Sequence, residues 1–228
     1  MSIEKMILKP IRSELHYRGA FGESAFELLE PPVPLYKSLV KHLGQFGGAL
    51  QNLSFESLTL ANTHISCGLP ELNVAIRVRI DRVEIDFWRL HEISADVAHR
   101  IVLATLAAVR EADDTVDVAS HFVDITAIAE TQGVDCAALM SRYVVAPEPL
   151  GVVDTGVGFY SRPVQEGQRW VNLVLDRVFG HDDQVSVKVT MGIPAVEAAL
   201  DALAVYVDNL INATLDRVGL QFATDHKK

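Results

Sequence analysis

His181-Asp182-Asp183 places an imidazole beside two carboxylates, a combination that can carry protons or hold a metal ion. Ligands to one ion normally converge from separate elements. Three consecutive residues between two apolar runs read instead as a solvated hairpin turn. His121 and Asp124 stand three apart in a strand-like segment, which points them to opposite faces, so they form no catalytic pair by themselves. His16, His42, His64, His91 and His99 are scattered along the chain. Arg77, Arg79, Arg82 and Arg89, with Trp88 among them, resemble in type the arginine-and-aromatic surfaces that stack single-stranded nucleic acid. Glu84 and Asp86 lie within the same stretch, and an ion-pair ladder is the favoured use of those arginines.

Glycine-containing motifs are equally sparse. Gly156-Val157-Gly158 opens like a dinucleotide fingerprint, but Ser161 stands at the third glycine position and Arg162-Pro163 follows where a helix should start. The chain holds no GxxxxGK[ST] loop, GxSxG elbow or HExxH pair. Val152-Val153-Asp154-Thr155-Gly156 resembles the apolar-apolar-Asp-Thr-Gly signature of the aspartic proteases. That resemblance implies that Asp154 supplies one carboxylate of a proton-sharing dyad and that a second subunit supplies the other, since the motif occurs once. It covers five residues of a chain that ends in a long helix, whereas those proteases are almost wholly β. A turn at a strand end accounts for the same Asp and Gly on backbone grounds.

Composition narrows the classes further. The 228 residues are 49% hydrophobic and 22% charged, the balance of a folded globular chain. Twenty Lys and Arg against thirty Asp and Glu give a net charge of −10, and both halves are acidic. A surface that neutralises many phosphates needs the opposite balance, so no nucleic-acid partner is expected. Cys67 and Cys136 are too far apart in sequence for a CxxC motif and lack zinc-type spacing, which suits buried, reduced thiols. No metal and no cofactor is expected. The charged start of the chain and the absence of an apolar run of ~20 residues point to a cytoplasmic protein without a membrane partner.

The elements follow from periodicity. Leu35, Leu39, Leu43 and Phe46 recur at helical spacing after Pro31-Pro32-Val33-Pro34, and Gly47-Gly48 ends the run. Leu50–Asn62 reads as a strand with a bulge near Ser57. Leu72–Ile80 and Val83–Phe87 alternate apolar and charged residues. A bend at Asp81-Arg82 sets Arg79 opposite Glu84 and Arg77 opposite Asp86, with the apolar residues sharing the other face. Ser94 caps a helix over about 95–112. Strands are expected over 120–129 and 158–161, a short helix over 136–142, and a hairpin of 170–179 with 185–191. A final helix should run from about Pro194 to Val218, with Gly219 as its stop.

The expected class is α+β: antiparallel β-sheets each followed by a packing helix, a pseudo-duplicated β-β-β-α order, and a long C-terminal helix. The expected organisation is an N-terminal half over 1–132, a connecting segment over 133–151 and a C-terminal half over 152–228, or one continuous domain. Within the last helix, Val196, Leu200, Leu203, Val207 and Leu210 recur with heptad-like spacing and form the candidate interface. On these grounds the expected role is non-enzymatic: a protein-interaction or assembly component that self-associates or binds a protein partner. The alternatives are a chaperone-like or small-ligand-binding module, which an apolar groove would favour, and a hydrolase of unassigned chemistry centred on Asp154 or His181.

Overall fold

The computed structural model describes residues 5–57, 59, 62–143, 156–161 and 167–223. It is an α+β fold built on a single ten-stranded sheet. The strands are β1 (Met6–Phe21), β2 (Leu53–Glu56), β3 (His64–Leu69), β4 (Val74–Arg79), β5 (Arg82–Phe87), β6 (Val118–Glu130), β7 (Gly156–Tyr160), β8 (Trp170–Arg177), β9 (Gln184–Pro194) and β10 (Leu220–Phe222). Their order is β2-β3-β4-β5-β1-β6-β9-β8-β7, antiparallel throughout, while β10 pairs with the start of β1 in parallel. The helices are α1 (Val33–Leu43), α2 (Ala95–Ala112), α3 (Cys136–Met140) and α4 (Leu203–Arg217).

The two sheets expected from the sequence are therefore one. What joins them is β1, sixteen residues long and paired with β5 on one side and β6 on the other. No strand was expected there, and the reason is a phase change. Met6 and Leu8 are buried at even positions, then a bulge between Pro10 and Arg12 moves the inward-facing set to odd positions, with half-buried Leu15 and buried Tyr17 and Gly19. An irregularity of one residue flips every later side chain to the other face, so no single period-two pattern spans the strand.

Around this spine the element order runs strand, helix, strands, helix twice: β1, α1, β2 to β5, α2, then β6, α3, β7 to β9, α4. Pairing repeats as well. Tyr17 of β1 faces Ile85 of β5, and Val123 of β6 faces Met191 of β9, the same relation one constant offset later. Tyr17 and Val123 are themselves partners, so they mark the centre of the sheet.

The β4–β5 hairpin keeps the expected faces but not the expected pairs. Arg77, not Arg79, stands opposite Glu84, and Ile76 stands opposite Ile85. The turn falls at Ile80-Asp81, one residue earlier than the sequence suggested, where both carbonyls accept backbone N–H groups, from Ala25 at 2.6 Å and Phe21 at 2.9 Å. An even shift leaves inside and outside unchanged. The ion pairs survive on the diagonal, Arg77 to Asp86 at 2.7 Å and Arg79 to Glu84 at 3.2 Å. Burial by itself would raise the Glu84 carboxyl, but hydrogen bonds from Arg82 and Arg79 outweigh it and hold the group below its ordinary value.

Other boundaries moved for local reasons. The expected strand over 50–62 is a 3-10 turn at Leu50–Asn52 followed by the short β2, and the following β3 was not expected. The expected helix start at Pro194 belongs to β9, which continues through Pro194. A turn and a 3-10 segment, Leu200–Ala202, then lead into α4. Proline suits a strand end as well as a first helical turn, and the buried Met191 and Ile193 favour the strand. Gly219 does end α4, with φ of 74°. Ser94 caps α2 through its Oγ, 3.2 Å from the Val97 N–H.

Helices α1, α2 and α4 lie against the sheet face that carries Ile76, Ile85, Phe87, Val187 and Val189, all buried. Cys67 and Cys136 belong to this core, and burial pushes the Cys67 thiol up to about 11. Burial also raises the Cys136 thiol, which donates to the Gln184 carbonyl at 3.1 Å. Thiolate is the reactive form, so the native protein should consume almost no thiol-specific disulfide reagent at about pH 8, and both thiols should react once it is unfolded. Rapid labelling of the native protein would contradict this burial.

Candidate functional site

Helices α2 and α4 run over the centre of the sheet without closing on each other. Small residues, Ala95 and Ala98 of α2 and Ala204 of α4, line the gap between them together with the larger His99, Leu203 and Ile211. Larger side chains such as Ile101, Leu106 and Val109 are buried elsewhere along α2. The result is an open groove of about 430 Å³. Its floor is the centre of the sheet, with Leu15 and Tyr17 from β1 and Val123, Ile125 and Ala127 from β6. Leu15 and Ile125 are cross-strand partners and remain only half-buried at the middle of the sheet, where neighbouring strands are fully covered. Phe222 closes one end, and Asp208 and Asn212 of α4 supply polar groups at the rim.

A buried polar pair supports the floor. The Tyr17 hydroxyl lies 2.9 Å from Nδ1 of His121, and both residues are almost wholly inaccessible. Gly19 makes this possible, because a side chain there would collide with the Tyr17 hydroxyl. Burial raises the Tyr17 phenol and lowers the His121 imidazole, so at neutral pH both are uncharged and the imidazole can accept the phenolic proton in a hydrogen bond. At the groove wall, His99 Nε2 lies 2.9 Å from the Leu200 carbonyl and ties α2 to the segment that leads into α4.

The residues singled out from sequence fall in several places. Leu203 is buried and lines the groove, Val207 lines it half-buried, and Leu200 and Leu210 pack against the core. Val196 lies in the turn before α4 and is 95% exposed. These five residues therefore do not form one continuous seam on a helix. Asp154 lies outside the described residues. His181, Asp182 and Asp183 form the exposed β8–β9 turn: Asp182 pairs with Arg177, and the Asp182 and Asp183 carbonyls accept from Cys136 at 2.8 Å and Thr131 at 2.9 Å. Their backbone dominates the local bonding, and the three side chains do not converge. His121 faces the helices while Asp124 faces away from them. Among the described residues, no group of three or more His, Cys, Asp or Glu is placed to hold a metal ion.

Of the groove's lining, sequence reasoning singled out Leu203 and Val207, as a candidate interface, and missed both the α2 side and the floor. The floor depends on β1, whose alternation Ser13, Leu15, Tyr17, Gly19 becomes visible only once the bulge is known. Among the described residues no helix is long and apolar enough to cross a membrane. No protein-family model matches the chain, and no curated protein matches it in sequence.

Proposed function

We propose that this chain is a non-enzymatic binding module whose ligand is a small apolar molecule held between α2 and α4. The observation that carries this reading is the groove of about 430 Å³, floored by half-buried Leu15 and Ile125. Ligand sites are typically clefts of this size, mostly apolar, with few polar groups to fix orientation. The repeated order of elements supports a duplicated architecture in which the two final helices, α2 and α4, frame a site at the junction of the repeats.

The test is a titration with N-phenyl-1-naphthylamine, a neutral dye that fluoresces in apolar surroundings. Saturable enhancement is expected with the intact protein. Ala204→Phe and Val207→Phe, which project bulk from half-buried positions on the groove wall, should each weaken it at least about tenfold without changing the cooperativity of unfolding. Absence of saturable binding, or binding indifferent to both substitutions, overturns the reading.

A second reading, self-association, rests on apolar side chains left exposed near α4: Val196 at 95% and Val205 at 66%. Native mass spectrometry at two protein concentrations separates the readings. A concentration-independent oligomer weakened by Val205→Lys supports assembly, and a monomer that retains an apolar adduct supports the groove.

A further inference from the structure

Six residues of α4 line the groove: Leu203, Ala204, Val207, Asp208, Ile211 and Asn212. They form one stripe of the helix, which at 1.5 Å per residue follows the groove for about 13 Å. Four of the six are apolar. The two polar residues, Asp208 and Asn212, stand one helical turn apart, and Asn212 shares a neighbouring depression with Phe222, the residue that closes one end of the groove.

The bonding of these polar groups leaves acceptors. A carboxylate only accepts, so the Asn212 amide donates its Nδ2–H to Oδ2 of Asp208, at 3.1 Å. Oδ1 of Asn212 and Oδ1 of Asp208 remain, and neither bonds to a described residue. On the α2 wall, His99 gives its Nε2–H to the Leu200 carbonyl, which in the neutral ring makes Nδ1 an acceptor as well.

Charge points the same way. Asp208 is the only Asp, Glu, Lys or Arg that lines the groove among the described residues. Lys5, which borders the depression beyond Asn212, is paired with Asp216. An anionic head placed at this rim would meet a carboxylate with no cation to offset it. A hydroxyl would bring one donor, whereas a primary ammonium brings three donors and the complementary charge.

We infer that the ligand of this groove, taken as the apolar binding site proposed above, is a cationic amphiphile. Its alkyl chain lies along α4 over Leu15 and Ile125, and its primary ammonium is held by Asp208 and Asn212.

Isothermal titration with decylamine, decanol and decanoic acid at neutral pH tests the assignment, since the chains match and the heads are cationic, neutral and anionic. Decylamine should bind most tightly, and decanoic acid at least about tenfold more weakly. Asp208→Asn should weaken decylamine by about fivefold, the scale of an exposed ion pair, and narrow its lead over the acid. Asp201→Asn removes the same charge outside the groove and should change neither. Val207→Phe should weaken all three. Asp208 is exposed, and an unchanged melting temperature checks that its substitution leaves the fold intact.

If neither N-phenyl-1-naphthylamine nor any of the three binds, the groove is no ligand site and both readings fall. If the dye binds in a manner sensitive to Val207→Phe, but the acid equals the amine or Asp208→Asn leaves the amine unchanged, the groove stands and its cationic ligand is overturned. Amine binding that survives Val207→Phe is adsorption to the acidic surface and overturns the assignment too.

Discussion

Ile85→Ala is expected to lower the free energy of unfolding by about 2–5 kcal/mol, read from urea denaturation at a constant slope. Ile85 is fully buried and stands between Ile76 of β4 and Tyr17 of β1, so it joins the first hairpin to the spine of the sheet. Truncation removes its transfer free energy and leaves a cavity between three strands that cannot collapse independently. Its counterpart, Met191, is also fully buried and faces Val123. Met191→Ala should therefore cost a similar amount, and the two losses should add, since Tyr17 and Val123 stand between them. A loss below about 1 kcal/mol at both positions would mean that the centre of the sheet is not packed as described.

The second large effect concerns the Tyr17–His121 pair beneath the groove. His121→Leu should cost about 1–3 kcal/mol, because it leaves the buried Tyr17 hydroxyl without its partner. Adding Tyr17→Phe should recover part of that loss, since removing both polar groups is cheaper than orphaning one. The pair also has a pH signature. Burial lowers the folded-state value of His121, so below the unfolded value of about 6.5 the unfolded chain takes up a proton that the folded chain resists. Its contribution is complete above that value and is lost as pH falls through the folded-state value. Thermal melts from about pH 8 to 5 should thus show a steeper acid loss in the parent protein than in the double variant. Equal slopes would show that His121 charges freely in the folded state.

Several features of this fold could be read directly from residues. Ser94, Pro34, Gly47 and Gly219 act on the backbone locally, through a cap, a fixed φ or a permitted positive φ, and they mark the starts of α2 and α1, the end of the 3-10 turn after α1 and the end of α4 where the pattern placed them, whereas the start of α4 lies at Leu203 and not at Pro194. The alternation from Val74 to Phe87 sorted charged from apolar faces correctly, because strand period depends only on the chain itself. Register did not follow, since Arg77 reaches Asp86 on a diagonal as readily as straight across, and the choice was made by Ala25 and Phe21 bonding the turn. The groove between α2 and α4 was hidden because its floor is assembled from β1 and β6, and the β1 bulge masks the strand's own periodicity.

The sequence alone determined the α+β class, the acidic character, the inward face of the β4–β5 hairpin and the buried state of both cysteines. Those properties depend on side-chain type and local spacing. Only the tertiary structure decided that there is one sheet, that Leu203 and Val207 turn towards α2, and that Asp208 and Asn212 meet the same groove. Each of these depends on which strand lies beside which, and long-range pairing is a cooperative choice of the whole chain that no local window of residues encodes.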